Sequence, residues 1–269
     1  MGLKSSAASI ANGLLGPLGL RLVRKGSLRM GQNVGADMID LVDFSVRTYD
    51  GQTDALPILR TVAPYTMTNL ERLMSLYQVC RYVERRGIPG DLVECGVWRG
   101  GSSGVMAAVN LSYGKKPRDL WLYDSFEGIP APLAIDGVAA KNYVGGKDDG
   151  SLQTTNCLVA EESYVLELLG KLRFPRDRTH VVKGWFQNTV PVTQPKQIAI
   201  LRLDGDWYES TKVCLDHLYP LVAKGGAIVI DDYGDWEGCK KAVDEYLASI
   251  GFDPMLHHAD RTCRYFFKE

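Results

Sequence analysis

The chain has 269 residues, 45% of them apolar and 23% charged, which is ordinary globular composition with length for a large core. That excludes a disordered tail, a fibrous repeat and a disulfide-stapled mini-protein. Lys+Arg 31 against Asp+Glu 32 leaves a net charge of −1, without the basic surplus of a polyanion binder, so no nucleic-acid partner is expected.

The first sixty residues are poorly periodic and read as an N-terminal extension, with residues 61–269 as the main domain. Residues 10–23 are apolar and flanked by Lys4, Arg21, Arg24 and Lys25, like a signal peptide. Gly16-Pro17 interrupts the run, however, and no small-x-small cleavage site follows. The segment reads as an arm that docks a partner, exchanges between copies of a homo-oligomer, or rests weakly on a membrane surface. Residues 44–49 form a weak strand-like run. No stretch reaches the ~20 apolar residues of a membrane span, so no stable membrane insertion is expected.

Regular structure begins near Thr68. Leu70, Leu73, Leu76, Tyr77, Cys80 and Val83 recur at helical spacing, with Thr68 or Asn69 as cap and Gly87 as stop. Apolar runs at 91–95, 119–124, 179–183, 197–203 and 226–231 then predict strands. Stretches at 102–111, 163–172, 210–221 and 239–250 predict helices, and residues 252–257 and 262–267 a terminal antiparallel pair. Strands separated by helices imply an α/β fold, a Rossmann-like, doubly wound, mostly parallel sheet. The connection at 130–157 is too long for a plain loop and follows a strand's carboxyl end, so it reads as a lid. The six cysteines form no CxxC pair and several lie in apolar runs. They read as free buried thiols of a reducing, cytoplasmic compartment.

Four strand ends carry chemistry. In VECGVWRGGSS at 93–103, a buried strand delivers Glu94 to a turn of Gly96, Gly100 and Gly101 before a helix N-terminus. The spacing is not GxGxxG, and an acid two residues before the first Gly suits a methionine-type ammonium better than a pyrophosphate. Asp124 ends the second strand, where an acid can accept hydrogen bonds from ribose hydroxyls. KGWF at 183–186 follows the third, with aromatics able to flank a purine or to pack in the core. LRLDGDWYEST at 201–211 and IVIDDYG at 228–234 bring Asp204, Asp206, Asp231 and Asp232 to one sheet edge. Such a cluster repels itself unless a cation is present, and oxygen-only donors point to Mg²⁺.

Together with YTMTNLERL at 65–73, GDLVECGVWRGG at 90–101, DSFEGIP at 124–130 and Gly184-Trp185-Phe186, these motifs resemble the macrocin O-methyltransferase family, over about residues 63–267. The resemblance implies the class I methyltransferase fold, S-adenosyl-L-methionine and Mg²⁺ as cofactors, and a hydroxylated small-molecule acceptor such as a sugar or phenol. It implies that Glu94, Gly96, Gly100, Ser102 and Ser103 hold the cofactor's methionine part, with Tyr65, Thr66 and Met67 close by. Asp124 and Ser125 would meet the ribose, and Gly184 and Trp185 the adenine. Asp204, Asp231 and Asp232 would be metal ligands, with Asp204 also the base. Asp206, His257 and His258 are the reserve bases. Trp207 stands where the more distant catechol-type enzymes carry a lysine base, which argues against a lysine route, and Asn188 stands where relatives often carry an acid. Two other readings compete: an NAD-dependent oxidoreductase, against which the missing GxGxxG speaks, and a catalytically silent cofactor-binding scaffold.

Overall fold

A computed structural model describes residues 54–269. The arm and the 44–49 run therefore lie outside the described residues. The expected boundary at 60/61 falls within a helix, α1 (Ala55–Val62), whose Ala55, Leu59 and Val62 are buried in the core.

A 3₁₀ turn (Ala63–Tyr65) leads to α2 (Leu70–Arg86). Its caps are those expected: the Asn69 side chain accepts the Arg72 N–H at 2.8 Å, and Gly87 closes the helix at φ 64°. Then follow β1 (Asp91–Cys95), α3 (Gly101–Tyr113), β2 (Leu120–Asp124), α4 (Gly137–Tyr143), α5 (Glu162–Lys171), β3 (Thr179–Lys183) and α6 (Phe186–Thr189). The chain ends with β4 (Ile198–Leu203), α7 (Tyr208–Leu218), β5 (Val222–Ile230), α8 (Glu237–Ser249), β6 (His257–His258) and β7 (Arg264–Phe267). Among the described residues, no helix is long and apolar enough to cross a membrane.

The seven strands run in the order β3-β2-β1-β4-β5-β7-β6, and β7 alone runs against the others. The chain winds outward from β1 to β3, returns to β4, and winds the other way. The carboxyl ends of β1 and β4 thus flank the crevice where an open α/β sheet binds ligands. Alternation splits the core. Leu92, Leu120, Leu122 and Ile200 face α1, α2, α3 and α5, while Val93, Leu201, Leu203 and Ile230 face α7 and α8. Truncating a fully buried leucine such as Leu122 to Ala would cost about 2–5 kcal/mol.

One expectation gains detail and two need correction. The 130–157 connection holds a 3₁₀ turn (Ala134–Asp136), α4 and a bridge between Pro130 and Thr154. It carries its own apolar cluster of Ala140, Val144 and Trp207, flanked by Tyr143, Cys157 and Trp236. Buried Asp136 docks it, accepting the N–H groups of Leu133 and Tyr208 at 2.7 Å each. The predicted strand at 252–257 shrinks to His257–His258, because Pro254 has no N–H to give a ladder. The predicted helix over 210–221 begins two residues early, and its last turn tightens into 3₁₀ at Tyr219–Leu221 around Pro220.

Candidate active site

Adjacent strand ends assemble the site. Glu94 on β1 lies in register with Arg202 on β4, and Asp204 follows β4 while Asp231 and Asp232 follow β5. The first glycine turn is pressed onto this edge. Gly96 has φ 91°, and a Cβ there would run into the Asp204 carbonyl. The Asp204 N–H in turn donates to the Cys95 carbonyl at 2.8 Å. A Cβ on Gly101 would collide with Thr66, so the 65–68 segment rests on the start of α3.

Carboxylate oxygens of Asp204, Asp231 and Asp232 lie within 4.8 Å of one another. The sequence argument left their repulsion to a bound cation; the protein itself relieves part of it. Arg202, 3% exposed, donates from Nη1 to Glu94 Oε1 at 2.7 Å and Asp204 Oδ2 at 2.8 Å, and from Nη2 to Asp231 Oδ1 at 2.5 Å. Arg72 grips the other oxygen of Asp231 and reaches Asp260 at 2.8 Å and Asp235 at 3.2 Å. Two guanidinium groups face at least five inner carboxyls, too few to let all of them ionise together. Burial pushes Glu94 up to about 7, against the pull of Arg202 and the Ser103 hydroxyl. Burial and neighbouring Asp204 push Asp206 up to about 8. Burial and Asp206 hold Asp232 well above the usual carboxylate range, and burial raises Asp231 despite Arg202.

Asp206 sits in the left-handed region at φ 59°. Its N–H donates to Asp232 Oδ2 at 3.1 Å, and its Oδ1 accepts the Trp236 indole N–H at 3.0 Å. A non-glycine residue held there is strained, and such strain gathers at functional sites.

Two cavities meet at these acids. The larger, about 440 Å³, is of ligand size, and its lining includes Thr66, Met67, Glu94 and Ser102 together with the aromatic Trp98, Tyr143 and Trp236. The smaller, about 50 Å³, lies between Asp124, Ser125, Gly184, Trp185 and Phe186. Asp204 and Asp206 line both.

The other expected residues fall as follows. Ser103 is buried and donates its hydroxyl to Glu94. Gly100 lines neither cavity and packs against Val165. Tyr65 lines the larger cavity but turns its hydroxyl to Glu167 at 3.0 Å and Lys171 at 2.5 Å. Asp124 accepts the N–H groups of Val97, Trp98 and Phe126 at 2.6, 2.9 and 2.7 Å, bracing the glycine turn. Trp207 is buried and donates to the Pro130 carbonyl at 2.9 Å. Asn188 lies in the short helix α6 and lines neither cavity. His257 and His258 are not brought in: they form β6 at the end of the strand order, where His257 stacks on Tyr265. The sequence reading missed Arg72, Arg202, Tyr143 and Trp236. A lone arginine inside the apolar run 198–203 was the one visible signal, since a charge in a buried strand needs a partner.

The macrocin O-methyltransferase family model matches residues 38–268. The 8-demethyl-8-(2,3-dimethoxy-alpha-L-rhamnosyl)-tetracenomycin-C 4'-O-methyltransferase of Streptomyces olivaceus is 36% identical over 219 residues, 80% of this chain and 81% of that protein. The demethyldecarbamoylnovobiocin O-methyltransferase of Streptomyces niveus is 35% identical over 197 residues, 73% of each. The solved O-methyltransferase NovP superposes with a TM-score of 0.68 at 34% identity, over 76% of this chain and 82% of that one. The calicheamicin methyltransferase CalS11 shares the fold, with a TM-score of 0.61 at 19% identity over 92% and 97% of the two chains. The chain belongs to the macrocin O-methyltransferase family.

Proposed function

We propose that this enzyme moves the methyl group of S-adenosyl-L-methionine to a hydroxyl of a sugar or phenol on a natural product, with Mg²⁺ in the site. One observation carries the reading: Asp204 and Asp206 stand in the walls of both cavities. A ligand spanning the two would present its middle to those acids. A rhamnosyl group stands in one relative's name, and the aromatic residues that line the larger cavity suit a sugar or a phenol ring.

When bound, the cofactor supplies an electrophilic methyl and the metal a Lewis-acid contact for the acceptor oxygen. The chain's residues do the rest. Glu94 and the start of α3 would hold the methionine end, since Glu94, Gly101 and Ser102 line the larger cavity together. Asp124, Ser125, Gly184 and Trp185 would hold the nucleoside end, and Asp204, Asp231 and Asp232 the metal. Their carboxylate oxygens lie within 4.8 Å of one another and have the hard-donor character that a small divalent cation takes. The 130–157 segment and its aromatics would exclude water from the acceptor. Free, buried thiols at Cys80, Cys95, Cys214, Cys239 and Cys263 suit a cytoplasmic setting.

Asp204 would take the hydroxyl proton. A second reading gives that task to Asp206, because Arg202 already occupies one oxygen of Asp204 while Asp206 has no ion pair among the described residues. The test is calorimetric titration of S-adenosyl-L-methionine and of NAD, with Mg²⁺ and then with EDTA, followed by methyl transfer to rhamnosides and phenols. Binding of S-adenosyl-L-methionine alone is expected, with turnover that EDTA removes. Binding of NAD, or of neither, sinks it. Turnover untouched by EDTA removes the metal. Asp204→Asn and Asp206→Asn then separate the two bases by which one loses kcat while still binding cofactor.

A further inference from the structure

We propose that Trp236 is a positioning residue: its indole N–H aims the Asp206 carboxylate into the cavity junction, and Tyr143 of the 130–157 segment holds the indole in place. The inference rests on the methyltransferase reading above, in the form that gives the hydroxyl proton to Asp206.

Asp206 is fixed at two points. Its backbone N–H is tied to Asp232 Oδ2 at 3.1 Å and its Oδ1 to Trp236 Nε1 at 3.0 Å. Its second oxygen has no hydrogen-bond donor among the described residues, although the residue lines both cavities. The partner is a neutral donor, unlike the guanidinium groups on Glu94, Asp204 and Asp231. A neutral N–H orients a carboxylate without cancelling its charge. The indole is itself clamped. Its ring centroid lies 5.5 Å from that of Tyr143 and 5.1 Å from that of Trp207, both in inclined geometry. Trp207 is tied to the Pro130 carbonyl at 2.9 Å, so the 130–157 segment holds the indole both through Tyr143 and by anchoring Trp207. Tyr143 and Trp236 also line the larger cavity. An acceptor seated there would press on the pair that sets the carboxylate's direction.

Removing the whole ring would empty the small apolar cluster, so the informative variant is Trp236→Phe, which keeps an aromatic ring and deletes the N–H. The full chain is labelled with ¹⁵N and the Trp236 indole resonance followed without ligands. Asp206→Asn is expected to move that resonance, and Tyr143→Leu to move it toward the position of a free indole. With methyl α-L-rhamnoside as acceptor, Trp236→Phe is expected to lower kcat about tenfold. KM and the cofactor Kd should stay within about twofold. Adding Trp236→Phe to Asp206→Asn should cost nothing more. A resonance indifferent to Asp206→Asn overturns the proposal. So does unchanged kcat in Trp236→Phe, or an equal loss in the Asp206→Asn background. A wild-type chain that binds no S-adenosyl-L-methionine sinks the methyltransferase reading instead, while the resonance still reports the hydrogen bond.

Discussion

The inner carboxylates divide into two halves. Glu94 and Asp231 are locked by guanidinium groups, Asp231 by one on each oxygen. Asp206 and Asp232, a few ångströms away, form no ion pair among the described residues and are held by neutral N–H groups. Glu94, Asp231 and Asp232 are all buried, so between them the difference lies in the partner, while Asp206 is only half-buried. The paired half is a structural joint across β1, β4 and β5. In the unpaired half burial raises both carboxyls instead, so they keep their protons until a cationic ligand favours the ionised form.

The largest effect should come from the unpaired half. Asp232→Asn should cut methyl transfer by about 10²–10⁴-fold. The melting temperature should change little, because burial already favours the neutral carboxyl and an amide oxygen can still accept the Asp206 N–H. A loss of stability instead would place Asp232 in the joint. Arg202→Met should do the opposite, stranding Glu94 and Asp231 at a cost of about 3–5 kcal/mol in denaturant unfolding. Arg72→Met should cost less, since Asp235 is partly exposed to water.

The pH response sharpens the same division. Glu94 has a folded value of about 7 against an ordinary 4.5. Between those values the folded chain keeps a proton that the unfolded chain has lost. The ligand-free protein should therefore lose stability as pH rises through that window. Cofactor ammonium binding favours the ionised form, so its Kd should tighten by up to about tenfold per unit toward pH 7 and then level off. Calorimetry in buffers of different ionisation enthalpy would register the released proton. The smallest effect concerns Asp260, outside both halves. Burial raises its carboxyl, but the Cys263 N–H, Arg72, Asn69 and the Thr262 N–H outweigh that and bring it to about 2. Its contribution of about 2 kcal/mol is present above pH 4 and lost as pH falls toward 2. Asp260→Asn should flatten acid unfolding over that interval.

Much of this was legible before any coordinates, for local reasons. The caps of α2 and the five parallel strands follow from residue type and period, and the acids follow from lying at strand ends. What escaped depends on distant partners. That Arg202 answers three carboxylates requires knowing that β1, β4 and β5 are neighbours. That Trp236 meets Tyr143 requires knowing that α4 folds back over the site, and α4 is seven residues with only Ala140 buried, too short to leave a periodic pattern. The histidine pair misled because adjacency in sequence says nothing about which end of the sheet β6 occupies.

Five of the six cysteines are buried, and Cys157, in the segment that covers the site, is the partly exposed one. Thiol reagents select by access. A fluorophore or spin label offered to the native enzyme should therefore attach first at Cys157, beside Tyr143. The chain carries its own attachment point for watching that segment move as ligands enter, with no cysteine to add and none to remove.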